Sequence, residues 1–206
     1  WKFHVPAICW MQGESDMFDY TRVDYKKLLR QFAIDINSDV KAITHQKESV
    51  KIICYQTSCL AICWNYNPTD FDCYEASIAQ SQMELVRDDS LFVAGTPVYP
   101  FHFIKERLHL DGRSQRIVGR INAQAALDII RTGNSSRGLY PIEAHTYERN
   151  VTISFNKPIQ IDTINVAKAI NYGFSVISPE GKDILSSIVL SDSTATLICT
   201  QPANGC

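Results

Sequence analysis

Residues 5–16 read VPAICWMQGESD, an apolar run followed at once by a polar one. Residues 5–10 have the continuous apolar character of a strand that is buried on both faces. The polar residues Gln12, Gly13 and Glu14 then lie just beyond the carboxyl end of that strand. Open α/β sheets bind their ligands at the carboxyl ends of their strands. We therefore predict an α/β fold in which this turn forms part of the functional site.

Two further strands and three helices are predicted between this turn and residue 131. Apolar, β-branched runs predict strands over Val50–Tyr55 and Leu91–Ala94. Apolar residues at the spacing of three and four predict helices over Thr21–Asn37, Asp72–Val86 and Arg113–Arg131. Apolar strands that alternate with helices indicate a parallel sheet with helices on both faces. The helix residues predicted to face the sheet are Tyr25, Leu28, Leu29, Phe32, Ile36, Ile78, Ala79, Met83, Leu85, Val86, Ile117, Ile121, Ala125 and Ile129.

The last third of the chain has a different pattern. Residues 132–138, TGNSSRG, are small and polar, which is typical of a connecting segment. Beyond them Val151, Ile153 and Phe155 alternate with polar residues, as in a half-buried strand. Similar short segments occur near residues 159–166, 173–177, 184–190 and 194–200. We predict an α/β domain over residues 1–132, a linker over 133–138 and a small antiparallel β-sandwich over 139–206, whose last strand we expect to be incomplete.

The composition excludes several classes of function. The chain has 206 residues, 45% of them hydrophobic, and a net charge of −2, so we expect neither a nucleic-acid nor a membrane partner. No pair of its seven cysteines has the Cys-x-x-Cys spacing. We therefore expect no metal site. The odd number of cysteines and the lack of a secretion signal favour reduced thiols. The first residues lack the pattern of a signal peptide, and we expect the chain to begin inside a longer protein.

A carboxylate and a histidine occur together in Glu106-Arg107-Leu108-His109. Ester hydrolysis by a serine needs a nucleophile, a base, a carboxylate that orients the base, and donors for the oxyanion. His109 is the candidate base, and Glu106 lies close enough along the chain to fix the tautomer of its imidazole. The alternative is that His109 is a loop residue that caps the helix beginning near Arg113.

Gln12 and Gly13 are candidate oxyanion donors, because a side-chain amide and a backbone N–H at a strand end can point into one pocket. Glu14 could hold the loop or form a hydrogen bond near the base. The alternative is an ordinary polar turn in which Ser15 or Asp16 caps a helix. Trp10, Tyr99, Phe101 and Phe103 could stack on a ligand or belong to the core, which is the expected place of Trp10. The loop 64–68, WNYNP, follows the second strand and could contact substrate or be a simple connector.

The two motifs together resemble a known family. WMQGESD, residues 10–16, resembles the Trp-x-Gln-Gly-Glu-Ser motif of the SGNH-type carbohydrate esterases, in their sialate O-acetylesterase-like branch. Residues 99–119 resemble the closing block of that branch, a His-Leu segment followed by a helix with an Arg-x-x-Gly pattern. The Ser-Gln-Arg version at 114–116, and the β-region around 173–176, are most similar to copies in bacteriophage tail spikes and tail fibres.

The resemblance implies a three-layer, flavodoxin-like SGNH hydrolase sheet whose N-terminal strands are missing from this sequence. It implies His109 as the base, with Glu106 at the position of the orienting carboxylate, where the family usually has aspartate. Gln12, Gly13 and Glu14 fall in the block that binds the oxyanion and the substrate. The catalytic serine of the family lies in a Gly-x-Ser block on the first sheet strand, near the start of the domain, and neither a Gly-Asp-Ser nor a Gly-Gln-Ser-Asn block occurs in this chain. Ser15 belongs to the second block and is not expected to be the nucleophile.

The function implied by the resemblance is a carbohydrate O-acetyl esterase that deacetylates a bacterial surface polysaccharide as part of a phage tail protein. This route requires no metal or organic cofactor. The serine would come from a preceding segment of the same protein or from another chain, so we expect this chain to be inactive alone. A homotrimer in the virion, made in the host cytoplasm, is typical of such proteins, and an extracellular enzyme is the alternative location. A non-catalytic glycan-binding or structural tail module is the alternative function, and a lipase or thioesterase has less support because no long apolar lid segment is present.

Overall fold

In a computed structural model of the chain, the residues described below are 3–17, 24–58, 77–104, 109–163 and 170–204. The chain divides into two compact units, Trp1–Gly138 and Leu139–Cys206. The first unit contains a parallel sheet with three helices, and the second contains an antiparallel sheet. The structure is therefore a mixed α/β protein. None of the helices in the described ranges is long and apolar enough to cross a membrane.

In the described part of the first unit, the sheet has three parallel strands, as the sequence predicts. They are β1 (Ala7–Trp10), β2 (Lys51–Gln56) and β3 (Phe92–Pro97), and they lie in the order β1-β2-β3. Because all three run in the same direction, their carboxyl ends meet at one edge of the sheet. The turn at residues 11–15 lies at that edge.

Helices cover both faces of this sheet. They are α1 (Tyr25–Thr44), α2 (Ser77–Asp88) and α3 (Gly112–Thr132). Alternate residues of β2 point to opposite faces. Ile52 and Cys54 pack in one core with α1 and α2, and Ile53 packs in a second core with α3. The predicted arrangement of helices on both sides of a parallel sheet is therefore confirmed, while the exact SGNH arrangement stays a prediction.

Helix α1 continues beyond the predicted end at Asn37. The buried side-chain amide of Asn37 donates to the carbonyls of Ala33 and Val50 and accepts from the Val50 N–H, all at 2.8–2.9 Å. Asn37 is therefore a buried connector between α1 and β2. The helix ends instead before His45, which has a left-handed φ of 57°. The predicted start at Thr21 lies outside the described residues.

Some predicted inward positions are corrected by the structure. Leu28 of α1 is 55% exposed. On α3 the buried residues include Ser114, Val118 and Asn122, whereas the predicted Ile117 and Ile121 are only half-buried. The sequence prediction counted only apolar residues, so it missed the buried polar residues Ser114 and Asn122. The predicted inward face of α3 was therefore rotated away from the observed one.

The second unit contains one antiparallel sheet in the order β4-β5-β7-β6. Its strands are β4 (Pro141–Tyr147), β5 (Asn150–Phe155), β6 (Leu185–Ser191) and β7 (Thr194–Cys199). Its small core contains the buried residues Val176, Ile184, Leu197, Cys199 and Ala203. The two residues Val176 and Ile184 come from irregular chain outside the four strands. The core is therefore covered in part by segments that belong to no strand of this sheet.

Three predictions for this region need correction. Strand β4 was not predicted, because all seven of its residues are exposed and its sequence lacks a clear apolar alternation. No strand forms over residues 159–163, and the segment 173–177 contributes only an isolated bridge between Ile177 and Asp183. Residues 164–169 lie outside the described part. One sheet is seen among the described residues, and the second sheet of a sandwich stays a prediction.

Candidate active site

A pocket of about 300 Å³ lies at the carboxyl-end edge of the parallel sheet. It brings together two residues predicted for the site, Glu14 and His109, although 95 positions separate them in the sequence. Its volume is at the lower end of the range for small-molecule sites. The residues that line it are Met11, Glu14, Ser15, Tyr55, Val98, Phe103, His109, Leu110 and Gln115.

The backbone on both sides of residues 105–108 fixes the position of His109. The His109 carbonyl accepts a hydrogen bond of 2.8 Å from the Ile104 N–H, and Phe103 pairs with Leu110 in an antiparallel bridge. The Asp111 N–H donates to the His102 carbonyl at 3.0 Å. These bonds hold the exposed His109 side chain at the pocket, three positions before α3 begins.

The cap of α3 is Asp111 and not His109. The Asp111 carboxylate accepts a hydrogen bond of 2.7 Å from the Ser114 N–H. Bonds from Ser114 hold the pKa of Asp111 below its usual value, so this carboxylate is committed to the helix end. His109 is therefore not needed as the cap that the alternative interpretation assigned to it.

Glu14 is held in the pocket by a residue that sequence analysis missed, Tyr55 of β2. The Tyr55 hydroxyl lies 2.6 Å from each carboxylate oxygen of Glu14 and donates to that group. Burial raises the pKa of Tyr55 above its usual value, and the hydrogen bond with Glu14 raises it further. Tyr55 therefore stays a protonated donor at neutral pH. Because residues of a strand alternate between its two faces, Tyr55 lies on the same face of β2 as Ile53. This alternation is the sequence signal from which the direction of Tyr55 could have been predicted.

Gln12 and Gly13 flank the pocket along the chain but are not among the residues that line it. The side-chain amide of Gln12 donates to the Asp16 carboxylate. Gly13 has a φ of +148°, and a Cβ placed there would lie 2.9 Å from a methyl carbon of Ile78. Only glycine fits this turn without displacing α2. The side-chain nitrogen of Gln12, the predicted oxyanion donor, therefore already donates one hydrogen bond to Asp16.

Ser15 is exposed and lines the pocket with His109, whereas the buried Ser58 lies outside it. Ser15 belongs to the Gly13-Glu14-Ser15 turn, and neither serine lies in a Gly-Asp-Ser or Gly-Gln-Ser-Asn block. Two predicted features lie outside the described residues: Glu106, the predicted orienting carboxylate, and the loop 64–68 that could contact substrate. Among the described residues that line the pocket, Glu14 is the carboxylate.

The aromatic residues near the site have different environments. Phe103 lines the pocket, and Tyr99 is 58% exposed beyond β3. Phe101 is buried. Trp10 packs against the first core, with its ring 4.7 Å from that of Phe32. Phe103 and Tyr99 therefore remain available to a ligand, while Phe101 and Trp10 support the fold.

A larger pocket, of about 420 Å³, lies elsewhere on the first unit. Its walls come from β3, from α3 and from residues 135–138, and none of the predicted site residues lines it. Arg120 and Asp128 supply its charges. Size alone would favour this pocket, but the histidine and carboxylate that ester hydrolysis requires are in the smaller one.

Cys9 and Cys54, on β1 and β2, are free thiols. Burial raises the pKa of Cys54 to about 12, so its thiol is inert at neutral pH. Within the described ranges no group of three or more His, Cys, Asp or Glu side chains could hold a metal ion. Cys59, Cys63 and Cys73 lie outside those ranges.

Comparison with solved structures finds a likeness in fold. The chain matches the crystal structure of a carbohydrate acetylesterase from Xanthomonas citri, with a TM-score of 0.63 and 13% sequence identity. The match covers 97% of this chain and 44% of that protein, so the chain spans less than half of that protein's length. At this identity the likeness establishes a shared fold. No protein-family model matches the sequence, and a search of curated proteins also finds no match.

Proposed function

We propose that this chain forms most of the active site of a carbohydrate O-acetyl esterase. The observation that carries the proposal is the meeting of Glu14 and His109 in one pocket at the carboxyl ends of a parallel sheet. A histidine with a nearby carboxylate is the arrangement that activates a serine for attack on an ester. The fold shared with a carbohydrate acetylesterase supports the same chemistry.

In the proposed reaction a serine hydroxyl attacks the acetyl carbonyl while His109 accepts its proton. The tetrahedral intermediate collapses, the bond to the sugar oxygen breaks, and the imidazolium returns the proton to that oxygen. Water then attacks the acetyl-enzyme, again with His109 as base, and acetate leaves. Glu14, held by Tyr55, supplies a negative charge near the imidazolium as it forms. Glu106 remains the alternative for this role.

The nucleophile is proposed to come from outside the described residues, from a preceding segment of the same protein or from another chain. Within the described part of the sheet, β1 pairs with β2 on one side only. The strand is apolar in sequence, yet none of its residues is fully buried and Cys9 is exposed. An unpaired apolar edge favours pairing with another strand. A strand added beside β1 would end near the Gly13 turn, where a serine could reach the pocket.

The finer assignment rests on the sequence resemblance. We propose that the substrate is an acetylated bacterial surface polysaccharide and that the domain belongs to a homotrimeric phage tail protein in the virion. The exposed Tyr99 and the pocket residue Phe103 offer flat surfaces that suit sugar rings. A glycan-binding module without catalysis is the second candidate, favoured by the lack of a Gly-Asp-Ser or Gly-Gln-Ser-Asn block in this sequence.

The deciding experiment measures hydrolysis of p-nitrophenyl acetate and release of acetate from an acetylated polysaccharide. The protein is the longer polypeptide that contains these residues, with His109→Ala as the test and His145→Ala as the matched control. His145 is an exposed histidine of the second unit that pairs with Glu143. We expect His109→Ala to lower kcat by about a hundredfold or more, and His145→Ala to leave it unchanged. Equal rates in all three proteins would remove His109 from the mechanism.

Ser15→Ala tests the origin of the nucleophile in the same assay. Full activity is expected, because the proposed serine lies outside the described residues. A loss as large as that of His109→Ala would instead assign the nucleophile to Ser15, which lines the same pocket. If the longer polypeptide binds the glycan but hydrolyses neither substrate, the second candidate function is correct.

A further inference from the structure

Gln82 is a polar residue that the proposed mechanism does not use, and its side chain is fully buried on α2. Its amide nitrogen lies 2.8 Å from the Gln12 carbonyl and 3.0 Å from the Tyr25 hydroxyl. Its amide oxygen accepts a 2.7 Å hydrogen bond from the Thr57 N–H. One side chain therefore ties together the chain after β1, the chain after β2 and helix α1.

Tyr25 completes the same cluster. Its hydroxyl donates to the Gln12 carbonyl at 2.9 Å and accepts from the Trp10 indole at 3.2 Å. Burial raises the pKa of Tyr25 to about 12, so it remains a donor at neutral pH. The Gln12 carbonyl thus receives two buried hydrogen bonds, one from Gln82 and one from Tyr25. Two donors on one carbonyl fix the plane of the Gln12–Gly13 peptide.

The direction of this peptide follows from the position of the two donors. Tyr25 and Gln82 belong to α1 and α2, which cover the face of the sheet opposite to α3. The peptide is trans, so the Gly13 N–H points away from the Gln12 carbonyl. It therefore points away from α1 and α2, toward the face on which α3 packs. No described residue accepts a hydrogen bond from this N–H.

The pocket lies on that same side of the turn. Tyr55 follows Ile53 on the face of β2 that packs against α3, and its hydroxyl holds Glu14. Gln115 of α3 and His109, just before α3, form other walls. Gly13 itself is buried and is not among the residues that line the pocket, but Glu14 and Ser15, which follow it, are. The Gly13 N–H therefore faces the side of the turn on which the acetyl carbonyl is proposed to bind.

We infer that Gln82 and Tyr25 are positioning residues, which hold the Gln12–Gly13 peptide so that the Gly13 N–H serves as an anion donor to the pocket. The inference rests on the proposed function, because it assigns to this N–H the oxyanion of the acetyl group or the carboxylate of released acetate. A donor that is fixed before the reaction stabilises developing charge without reorganisation. Neither Gln82 nor Tyr25 touches the substrate in this arrangement.

The test uses the 206-residue chain itself with acetate as the probe. Uniformly ¹⁵N-labelled protein is titrated with sodium acetate at neutral pH, and sodium chloride at equal ionic strength is the reference. The backbone amide signals of Gly13 and His109 report binding. We expect a saturable shift of the Gly13 signal with acetate and none with chloride. Gln82→Leu and Tyr25→Phe should each weaken the acetate affinity by about tenfold, the loss expected for one hydrogen bond to a charged group.

Asn37→Leu is the matched control. Like Gln82, Asn37 is a buried side-chain amide with three hydrogen bonds, one to the Ala33 carbonyl within α1 and two to the backbone of Val50. Val50 lies just before β2 begins, at the end of the strand away from the pocket. Asn37→Leu should lower stability without changing the acetate affinity at Gly13. If the three variants weaken binding equally, Gln82 and Tyr25 act only through stability and the inference is wrong. Tyr25→Phe, which changes one atom, decides the question if Gln82→Leu does not fold.

Two further results overturn the inference. One is an unchanged acetate affinity in Gln82→Leu and Tyr25→Phe. The other is the absence of any Gly13 response in the wild-type chain. Either result leaves the proposed function standing if the longer polypeptide still shows hydrolysis that depends on His109. Loss of that dependence, by contrast, would count against the proposed function whatever Gly13 does.

Discussion

Replacing Gln82 by leucine should destabilise the first unit by about 2 kcal/mol. Thr57 is 1% exposed, and its N–H would lose the Gln82 oxygen that accepts its hydrogen bond. An unsatisfied buried donor costs about 1–3 kcal/mol. The Gln12 carbonyl and the Tyr25 hydroxyl would each lose the hydrogen bond from Gln82 but keep the bond between them. The loss of the two bonds from Gln82 therefore adds only about 1 kcal/mol. The apolar leucine side chain offsets about 1 kcal/mol of this total.

The measurement is urea unfolding followed by tryptophan fluorescence, because the indole of Trp10 is hydrogen-bonded within the cluster. Gln80→Leu is the matched control, since Gln80 is an exposed amide two positions away that binds Glu84. The control should change the free energy of unfolding by no more than about 0.5 kcal/mol. A difference of less than about 0.5 kcal/mol between Gln82→Leu and Gln80→Leu would refute the assignment of a stabilising role to these buried bonds.

Gln82→Glu separates the acceptor from the donor. A carboxylate can still accept from the Thr57 N–H, but when ionised it cannot donate to the Gln12 carbonyl. Burial and that carbonyl should raise its pKa in the folded state above the unfolded value of about 4.3. The unfolded state then releases its proton first as the pH rises. Stability relative to wild type should therefore fall by up to about 1.4 kcal/mol per pH unit between the two pKa values, whereas the deficit of Gln82→Leu should not vary with pH.

Three further outcomes are expected. Gly13→Ala should destabilise the first unit by about 1–3 kcal/mol in urea unfolding, because its φ is +148° and a Cβ would lie 2.9 Å from a methyl carbon on α2. Cys9→Ser should remove one thiol that reacts with a small thiol reagent at pH 8.5, and Cys54→Ser none. Burial raises the pKa of both thiols, but Cys9 is exposed to the reagent, whereas Cys54 is buried and its pKa is raised to about 12. The hydrogen bond from Lys26 lowers the pKa of Glu84 in the folded protein. The stabilisation from this pair is present above the pKa of Glu84 in the unfolded state and is lost as the pH falls through its folded-state pKa. Lys26→Met should therefore cost at most about 0.5 kcal/mol at pH 7 and nothing at pH 2.

The parallel sheet could be predicted because its strands are apolar on both faces. Ile52 and Ile53 are adjacent in the sequence and face opposite cores, so a strand between two helical layers must be apolar at every position. The turn after β1 could also be predicted as a site, since a polar run that follows such a strand falls at the carboxyl-end edge. His109 was found through its spacing from a carboxylate, and its role stays a prediction.

The partners of Glu14 and Gln12 could not be predicted. Tyr55 is 41 positions from Glu14, and Gln82 is 70 positions from Gln12. Periodicity places apolar residues on a helix face but is silent about a polar residue on the same face. Gln82 falls between the inward residues of α2 and therefore looks like part of a polar stripe. Only the approach of β1, β2 and α1 shows that every polar atom of its amide has a partner.

The same reasoning separates the buried amides of this unit. Replacing a buried amide alone leaves its partners unsatisfied, so the cost of such a change measures those stranded groups more than a net gain from the bonds. Asn37 and Gln82 each make three hydrogen bonds, whereas the Asn122 oxygen, buried near Gly95, has no partner among the described residues. What an amide does provide is direction, because its bonds are satisfied in one orientation of the neighbouring backbone. Asn37 orients the chain that enters β2, and Gln82 orients the chain that leaves β1, where the candidate site begins. A leucine would fill the space of Gln82 and leave the Gln12–Gly13 peptide with a single donor, Tyr25, to set its direction.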